Sequence, residues 1–370
     1  ATRNATSHEF EFALDHKAAY LVFKPYTSDD VLKYCYLTKI EVTSDNDIAS
    51  TSTYTLDPTA DTGAGALTGT GNGKQIVLET KGSGAYANGF PLTNTSANLT
   101  TNGAYMVIKP GTHILRIRYW VKDVATNIEG TITKIIPSHT FAKNEYVNME
   151  ADLQIKNYDG DHYYMWDAEK QYWEGYEWTK HLSGNTGQST LNDNSSPNYP
   201  QNNSDVSRWY HAGGGSGRFD ATQSCAGLPN VNEMTWYATK GDPHWDTDEL
   251  WTTMGHLYKG GMWFKKKANI IGFNSNTAYD GSDWRTNGGG ASWSVTLAIP
   301  DAADAGNYFY LPALGYYYSG RLYDVGSKGY YWSSSALPWG NSAFDLRFYS
   351  GTVLVRNDPR FYGYRAEVLE

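Results

Sequence analysis

The segment that most constrains the fold is residues 307–335, which read NYFYLPALGYYYSGRLYDVGSKGYYWSSS. It contains eight tyrosines, one phenylalanine and one tryptophan, and its short aromatic runs are separated by Gly315, Gly320, Gly326 and Gly329. Aromatic runs interrupted by glycine are typical of short strands joined by tight turns. Each large ring buries roughly 150–250 Å², so the segment needs either a core or a partner. We predict that it forms the centre of a C-terminal domain.

Length and charge limit the organisation and the partners of the chain. With 370 residues, of which 40% are hydrophobic and 15% aromatic, two domains with sizeable cores are expected. The formal net charge of -9 and the lack of a basic stripe argue against a nucleic-acid partner. Cys35 and Cys225 fall in different predicted domains, so no disulfide is expected. The sequence has no run of 18 apolar residues and no signal peptide, and its start, ATRNATS, suggests a processed or truncated product.

The first half of the chain is predicted to consist of β-strands. In residues 113–122, HILRIRYWVK, apolar residues alternate with residues that point the other way. This period of two is typical of a half-buried antiparallel strand. The apolar face is formed by Leu115, Ile117, Tyr119 and Val121. Further strands are predicted at residues 10–14, 18–24, 36–43, 75–80 and 146–153. Short strands with turn-rich spacers indicate a β-sandwich.

Two polar loops interrupt these strands, at residues 44–49 and 58–73. Their carboxylates could hold a cation, but solvated surface loops are the simpler interpretation. The carboxylates in or beside the loops are Asp45, Asp47, Asp57 and Asp61.

Several short segments within residues 7–155 form a diffuse pattern: DHKAAYLVFK, GFPLTN, AYMVIKPGTHILRIRYWV, the step from Thr133 to Pro137, and YVNMEADL. This pattern resembles the fimbrillin-type pilus subunits of Gram-negative anaerobes. The resemblance implies a transthyretin-like Greek-key sandwich, export as a lipoprotein, trimming after an arginine such as Arg3, and assembly with other pilus subunits by strand exchange. Such exchange is physically sound because an extended segment can add to an open sheet edge through main-chain hydrogen bonds. Fimbrillins usually have two sandwich domains and this chain has one, which leaves polymerisation into a stalk open.

Residues 157–218 are predicted to connect the two domains. Within them, residues 163–178, YYMWDAEKQYWEGYEW, hold seven aromatic rings among acidic residues. These rings could form a platform for a carbohydrate, but we favour an aromatic strand pair that packs on the second domain. Residues 182–217 are dominated by Ser, Asn, Gly, Thr and Pro and are expected to form a long surface loop.

A calcium loop is considered and set aside at the start of this connecting region. Asn157, Asp159 and Asp161 have the alternating spacing of such a loop. However, His162 and Ala168 stand where an EF-hand loop needs Gly and Glu. We therefore predict a turn.

Two helices are predicted in the second half. The first has Asn230 as its N-cap and Glu233 at the third helical position, and it ends at Gly241. The second is predicted to start after Asp246 and to end at Gly260. Its apolar stripe consists of Leu250, Trp251, Met254, Leu257 and Tyr258. Strands are predicted at residues 262–264, 291–299, 308–312, 329–334, 343–348, 352–355 and 362–368. Two helices followed by short strands indicate an α+β domain.

Four segments of the second half carry a second resemblance: LPNVNEMTWYATKGD at 228–242, GGMWF at 260–264, the aromatic segment at 310–335, and RFYGYR at 360–365. Residues 219–370 resemble the C-type-lectin-like superfamily, in its formylglycine-generating-enzyme-like and bacterial paralogous-domain branch. The resemblance implies a stable scaffold whose variable loops bind diverse ligands.

The catalytic and calcium-dependent activities of that superfamily are not expected here. The enzyme branch needs a cysteine pair near the C-terminal end, and this chain has no cysteine after Cys225. The calcium-dependent sugar lectins use a Glu-Pro-Asn or Gln-Pro-Asp triplet together with Trp-Asn-Asp, and none of these triplets occurs. The run of Pro338, Trp339, Gly340 and Asn341 is no substitute.

Other catalytic patterns are also weak. The cluster of Asp242, His244, Asp246 and Asp248 resembles a metal site, but a helix N-cap and a first-turn acid explain Asp246 and Asp248. The sequence contains no Gly-x-Ser-x-Gly elbow, no phosphate loop and no zinc-type Cys/His spacing. We predict a protein that is not an enzyme, with no catalytic residue, no metal and no cofactor.

The sequence as a whole predicts a multidomain protein. The expected parts are an all-β Greek-key transthyretin-like sandwich at residues 1–156, a connecting region packed on the second domain at 157–218, and an α+β C-type-lectin-like domain at 219–370. The expected function is that of a cell-surface adhesin-like protein, a pilus tip or accessory subunit in the outer membrane or fimbrium, which binds a host or microbial glycan or protein.

Two alternatives stay open. One is a glycan-handling enzyme or its non-catalytic carbohydrate-binding component, and the other is a structural subunit without a ligand. If a binding face exists, the predicted residues are Trp284, Trp293, Tyr316, Tyr317, Tyr318 and Trp339, with Asn341 and Arg347 as polar partners.

Overall fold

The computed structural model describes residues 2–3, 6–7, 10–11, 16–49, 53–55, 66–68, 73–190 and 195–370. The chain is mostly β-sheet, arranged in several sheets. It divides into two compact units, Ala1–Gln154 and Ile155–Glu370. A β-rich protein with more than one domain is therefore confirmed. The six short 3-10 turns of the described residues are Leu32–Tyr34, Gly84–Tyr86, Trp178–Lys180, Ser183–Asn185, Lys267–Asn269 and Ala305–Asn307.

The described part of the first unit is built from strands and one helical turn, α1 (Leu99–Asn102). The strands are β1 (Thr2–Arg3), β2 (Phe10–Glu11), β3 (Ala19–Tyr26), β4 (Tyr36–Ser44), β5 (Thr53–Thr55), β6 (Ala66–Thr68), β7 (Gln75–Glu79), β8 (Phe90–Pro91), β9 (Ala104–Ile108), β10 (Gly111–Lys122), β11 (Glu129–Phe141) and β12 (Tyr146–Asp152).

Two sheets form the core of the first unit. One runs β11-β10-β4-β7 with antiparallel neighbours, and β8 pairs with the start of β4. The other has the order β12-β3-β9, in which β3 is antiparallel to β9 and parallel to β12. Phe23 of β3 meets Tyr119 of β10 edge to face, with ring centroids 6.2 Å apart. The inner faces of the two sheets therefore pack against each other.

Strand β10 confirms the predicted alternation on one face and corrects it on the other. Its predicted apolar residues, Leu115, Ile117, Tyr119 and Val121, are all buried. On the opposite face Arg116 and Arg118 are also buried, so β10 is covered on both faces where a half-buried strand was expected.

Most predicted strands of the first unit are confirmed, but six of its described strands were not predicted. Four of these are only two or three residues long, namely β1, β5, β6 and β8. The two longer ones are β9 and β11, and β11 contains Pro137, which usually argues against a strand. The register of β10 and β11 shifts between His113 and Leu115, opposite Pro137, so the proline lies at a bulge.

The carboxylates of the first polar loop bind within the chain. Asp45 accepts the backbone N–H of Ile114 at 2.9 Å, and Asp47 pairs with the ammonium group of Lys109 at 3.1 Å. Residues 12–15 and 56–65, which include part of a predicted strand and of the second polar loop with Asp57 and Asp61, lie outside the described residues.

The second unit contains two helices, α2 (Val231–Lys240) and α3 (Trp284–Asn287), and eleven strands within its described part. The strands are β13 (Tyr163–Tyr164), β14 (His244–Thr253), β15 (His256–Lys265), β16 (Ala291–Ser294), β17 (Tyr308–Pro312), β18 (Tyr316–Tyr318), β19 (Arg321–Tyr323), β20 (Lys328–Ala336), β21 (Ser342–Tyr349), β22 (Thr352–Pro359) and β23 (Tyr364–Arg365).

Two sheets and a hairpin organise the second unit. One sheet has the order β17-β15-β14, the larger one runs β13-β23-β20-β21-β22-β16, and β18 pairs with β19. The buried face of α2 packs on these strands. Its core residues Val231, Met234, Tyr237 and Ala238 share one cluster with Met262, Phe264, Tyr331, Phe344, Leu346 and Val353.

The first predicted helix is confirmed together with its cap. The side chain of Asn230 accepts the N–H of Glu233 at 3.1 Å, and the carboxylate of Glu233 accepts the N–H of Asn230 at 2.9 Å. This reciprocal pair satisfies two backbone donors that a helix start leaves without partners.

The second predicted helix is wrong, because its residues form the β14–β15 hairpin. Met254 and Gly255 have φ angles of 48° and 74°, the left-handed conformation that a two-residue hairpin turn requires. Asp246 accepts the N–H groups of Asp248 (2.9 Å) and Glu249 (3.3 Å), as an N-cap would, but a strand irregularity follows in place of a helix. The residues of the predicted apolar stripe therefore lie on two strands.

Residues 157–218 belong to the second compact unit. A turn forms at Asp159 and Gly160, whose φ angles are 43° and 74°. Four of the seven rings of residues 163–178 are buried in the unit's cores, namely Tyr163, Trp166, Tyr172 and Trp173.

Three further features concern chemistry. Among the described residues, no group of three or more His, Cys, Asp or Glu side chains is arranged to hold a metal ion. In the same part of the chain, every helix is too short or too polar to cross a membrane. Cys35 and Cys225 are both free and buried.

Candidate functional site

The predicted site begins at the β18–β19 hairpin. Ser319 and Gly320 form its turn, with φ angles of 48° and 74°. In the resulting register Tyr316 lies opposite Tyr323. The two rings stack with centroids 5.5 Å apart.

The three consecutive tyrosines of β18 do not share one face, because side chains alternate along a strand. Tyr317 points inward and is fully buried, where its hydroxyl donates to the carbonyl oxygen of Ser189 at 2.9 Å. Tyr318 is 40% exposed and Tyr316 is half-buried. The structure therefore separates Tyr317 from the predicted face and retains its two neighbours.

The loop after β22 adds rings to the same side. Tyr317 and Gly363 exchange two backbone hydrogen bonds of 2.9 Å, which hold this loop beside β18. Tyr318 then meets Tyr362 edge to face at 5.1 Å and Phe361 at 6.3 Å. We name the resulting cluster the tyrosine face; it consists of Tyr316, Tyr318, Tyr323, Phe361 and Tyr362.

Arg347 lies behind the tyrosine face. Its guanidinium is 4.7 Å from the centre of the Tyr330 ring, and Tyr330 in turn packs on Tyr316 at 4.6 Å. The Nη2 atom of Arg347 donates to Asp358 and also to Asp345, the latter at 3.3 Å. Arg347 is thus already paired, and its side chain is only 20% exposed.

The two carboxylates around Arg347 have different surroundings. Asp358 accepts from Arg347 and from the hydroxyl of Tyr364. Asp345 is fully buried, its contacts with Arg347 are long, and its Oδ2 atom has no hydrogen-bond partner. Burial raises the pKa of Asp345 to about 8, although the positive charge of Arg347 opposes that rise. Burial therefore favours the protonated form of Asp345, which has a structural position behind the face.

The three predicted tryptophans lie elsewhere in the second unit. Trp339 is 53% exposed, and its indole covers Gly288, where a β-carbon would stand 2.7 Å from the ring. Trp293 is half-buried and meets Tyr279 edge to face at 5.3 Å, whereas Trp284 is buried.

Asn341 connects the loop of Trp339 to the loop of Phe361. Its side chain is exposed, and its backbone carbonyl oxygen accepts the backbone N–H of Arg360 at 3.1 Å, next to Phe361. The structure thus places Tyr316, Tyr318 and Arg347 together, and Trp293 and Trp339 elsewhere on the same unit, while Tyr317 and Trp284 lie in the core.

Comparison of the chain with models of known protein families, with curated proteins and with solved structures finds no match. Its function must therefore be inferred from its own residues.

Three residues of the tyrosine face were not predicted from the sequence: Tyr323, Phe361 and Tyr362. A signal for Tyr323 was present, because a turn centred on Ser319 and Gly320 places it opposite Tyr316. Phe361 and Tyr362 reach the face through the long-range bridge between Tyr317 and Gly363, for which the sequence gives no local signal.

The tyrosine face is suited to binding. Behind it, Asp324 and Asp358 accept hydrogen bonds from Tyr330 and Tyr364, and burial raises the pKa of both tyrosines above the ordinary value. Arg321, opposite Tyr318 on the hairpin, is exposed. What the face offers to a partner is several partly exposed rings on a hydrogen-bonded scaffold. Rigid rings of this kind provide contact area at low cost in conformational entropy.

Proposed function

We propose that this protein is a cell-surface adhesin-like protein whose second unit binds a glycan or protein ligand through the tyrosine face. The observation that carries the proposal is the clustering of Tyr318, Tyr323 and Phe361, each at least 36% exposed, around the half-buried and mutually packed rings of Tyr316 and Tyr362. Partly exposed tyrosines that surround a packed centre are the residues that dominate binding at interfaces.

The proposed role needs no chemistry from the chain, so we propose a recognition protein and not an enzyme. The first unit is proposed as a fimbrillin-like Greek-key docking domain and the second as a C-type-lectin-like domain, on the resemblances described above. The same resemblances support display on the outer membrane or a fimbrium, as a pilus tip or accessory subunit.

The proposal is tested with the whole chain on a glycan array and on a panel of immobilised host matrix proteins. The variants Tyr318→Ala and Phe361→Ala are expected to weaken binding of any ligand found by about thirtyfold or more, since truncating a ring at the centre of an interface costs about 2 kcal/mol or more. Tyr34→Ala is the matched control, because Tyr34 is an exposed tyrosine of the first unit, 73% accessible. Silence on both arrays, or a ligand that both variants bind as wild type does, overturns the proposal.

A further inference from the structure

A polar cavity of about 340 Å³ lies within the second unit, apart from the tyrosine face. One wall is the tip of the β14–β15 hairpin, with Met254 and His256, and the other is residues 177–190. Its volume is at the lower end of the range for small-molecule sites, roughly 300–1,000 Å³. The cavity is therefore large enough for a small ligand.

The floor of the cavity is fixed by the side chain of Gln188. Its amide oxygen accepts the backbone N–H of Trp178 at 3.3 Å, and its amide nitrogen donates to the carbonyl oxygen of Gly160 at 2.7 Å. The same nitrogen lies 2.8 Å from the hydroxyl of Tyr317, so the floor is joined to the aromatic core. The cavity is built before any ligand arrives, which lowers the entropic cost of binding.

The walls contain a concentration of unusual backbone. Three lining residues other than glycine have left-handed φ angles: His181 at 46°, Asn185 at 55° and Met254 at 48°. Such conformations cost of order 1–3 kcal/mol each and cluster at ligand sites, where the fold holds them in place. The Met254 angle belongs to the hairpin turn, but His181 and Asn185 lie in the loop wall.

The lining combines rings with uncharged polar groups. Trp178 and His181 meet edge to face at 6.2 Å, and Asn185, Thr190 and His256 bring donors and acceptors to the same space. Among the lining residues that the structure describes, the one carboxylate is Glu177, and it lies 3.1 Å from the ammonium group of Lys180, so these residues bring little net charge. A ligand that suits these walls is neutral, rich in hydroxyl groups and apolar on its ring faces.

We propose that this cavity binds a single pyranose residue, as a free sugar or as the terminal unit of a glycan, with Trp178 and His181 against the ring and Asn185 and His256 on its hydroxyls. The site is independent of the tyrosine face, so either can fail without the other. Of the seven rings of the predicted carbohydrate platform, Trp178 is the one that lines this cavity.

The experiment is saturation-transfer NMR on the full chain with the methyl glycosides of glucose, galactose, mannose and N-acetylglucosamine at millimolar concentration. Disaccharides that end in the same residues form a second arm: equal affinity for both forms indicates a terminal glycan unit, and loss of the disaccharide signal indicates a free sugar. We expect transfer to at least one glycoside, and about tenfold weaker binding for His256→Ala, the loss that corresponds to 1.4 kcal/mol. Trp178→Ala is expected to abolish binding. If Trp178→Ala does not fold, the weaker binding expected of His256→Ala tests the same site.

Tyr34→Ala is the control and should bind the glycoside as wild type does, because Tyr34 is an exposed tyrosine of the first unit, outside the cavity and the tyrosine face. Absence of transfer to all four glycosides overturns the proposal. Binding that survives His256→Ala and is lost in Tyr318→Ala also overturns it and assigns the sugar to the tyrosine face.

Discussion

The α-carbon of Gly315 lies directly against the backbone carbonyl of Tyr323, so that a β-carbon on Gly315 would overlap the carbonyl oxygen. Gly315 also has a left-handed φ angle of 66°. We expect Gly315→Ala to lower the free energy of unfolding by about 2–5 kcal/mol, because backbone strain and steric overlap add. Gly340→Ala is the matched control: its φ is 81°, but no atom lies within 4 Å of the new carbon, so about 1 kcal/mol is expected. Urea denaturation of both variants measures the difference, and equal losses would contradict the packing described for the hairpin.

The second prediction concerns the pH dependence of stability at Asp345. Burial raises the pKa of Asp345 from 3.8 to about 8, so between about pH 4 and pH 8 the native state keeps a proton that the unfolded state has lost. The titration of Asp345 therefore leaves the free energy of unfolding unchanged below about pH 4 and lowers it as the pH rises from 4 toward 8. Asp345→Asn should remove this decline and make the protein more stable than wild type at pH 8–9. The measurement is the free energy of unfolding at several pH values.

Asp358→Asn is the control for that experiment. Asp358 accepts hydrogen bonds from Arg347 and Tyr364, so its amide variant should lose about 1.5–3 kcal/mol. If Asp345→Asn keeps the wild-type slope, Asp345 does not cause that slope and the raised pKa described for it is wrong.

The third prediction tests the hairpin that replaced the second predicted helix. Met254 is buried and has a left-handed φ angle of 48°, so both Met254→Ala and Met254→Gly lose packing, by about 2–5 kcal/mol. Glycine adopts this conformation without strain, and Met254→Gly should therefore be more stable than Met254→Ala by about 1 kcal/mol. In a helix the order is reversed, by about the same amount. Thermal unfolding of the two variants ranks them directly.

The fourth prediction concerns the start of α2. Asn230→Ala removes the acceptor for the N–H of Glu233 and the donor to the carbonyl oxygen of Ser275, 3.0 Å away. We expect a loss of about 1–2 kcal/mol in the free energy of unfolding. Asn230→Asp keeps the acceptor and should lose less than half as much. If Asn230→Asp loses more than half as much as Asn230→Ala, the hydrogen bond to Ser275 stabilises the fold more than the cap does.

The sequence predicted those elements whose signals are local. The first helix carries its own cap in Asn230 and Glu233, and strand β10 carries its alternation from Leu115 to Val121. The prediction of the second helix was wrong for two reasons. Asp246 makes the hydrogen bonds of an N-cap within a strand, and methionine is an unusual residue in a left-handed hairpin turn, so Met254 gave no turn signal. Helical spacing alone could not exclude two strands there.

The candidate site was predicted in part for the same reason. The prediction took Tyr316, Tyr317 and Tyr318 together, but the period of two along β18 leaves Tyr316 and Tyr318 on one face and turns Tyr317 into the core. Phe361 and Tyr362 come beside them through a contact between segments about 45 residues apart, which no local pattern encodes.

Each compact unit contains one cysteine that is not in a disulfide, Cys35 in the first and Cys225 in the second. Burial raises the pKa of both to about 12, so neither forms the reactive thiolate while its surroundings stay closed. The two cysteines therefore report separately on the unfolding of the two units. An alkylating reagent added during gradual denaturation should mark each cysteine only when its own half opens, and peptide mass spectrometry would reveal which half gives way first.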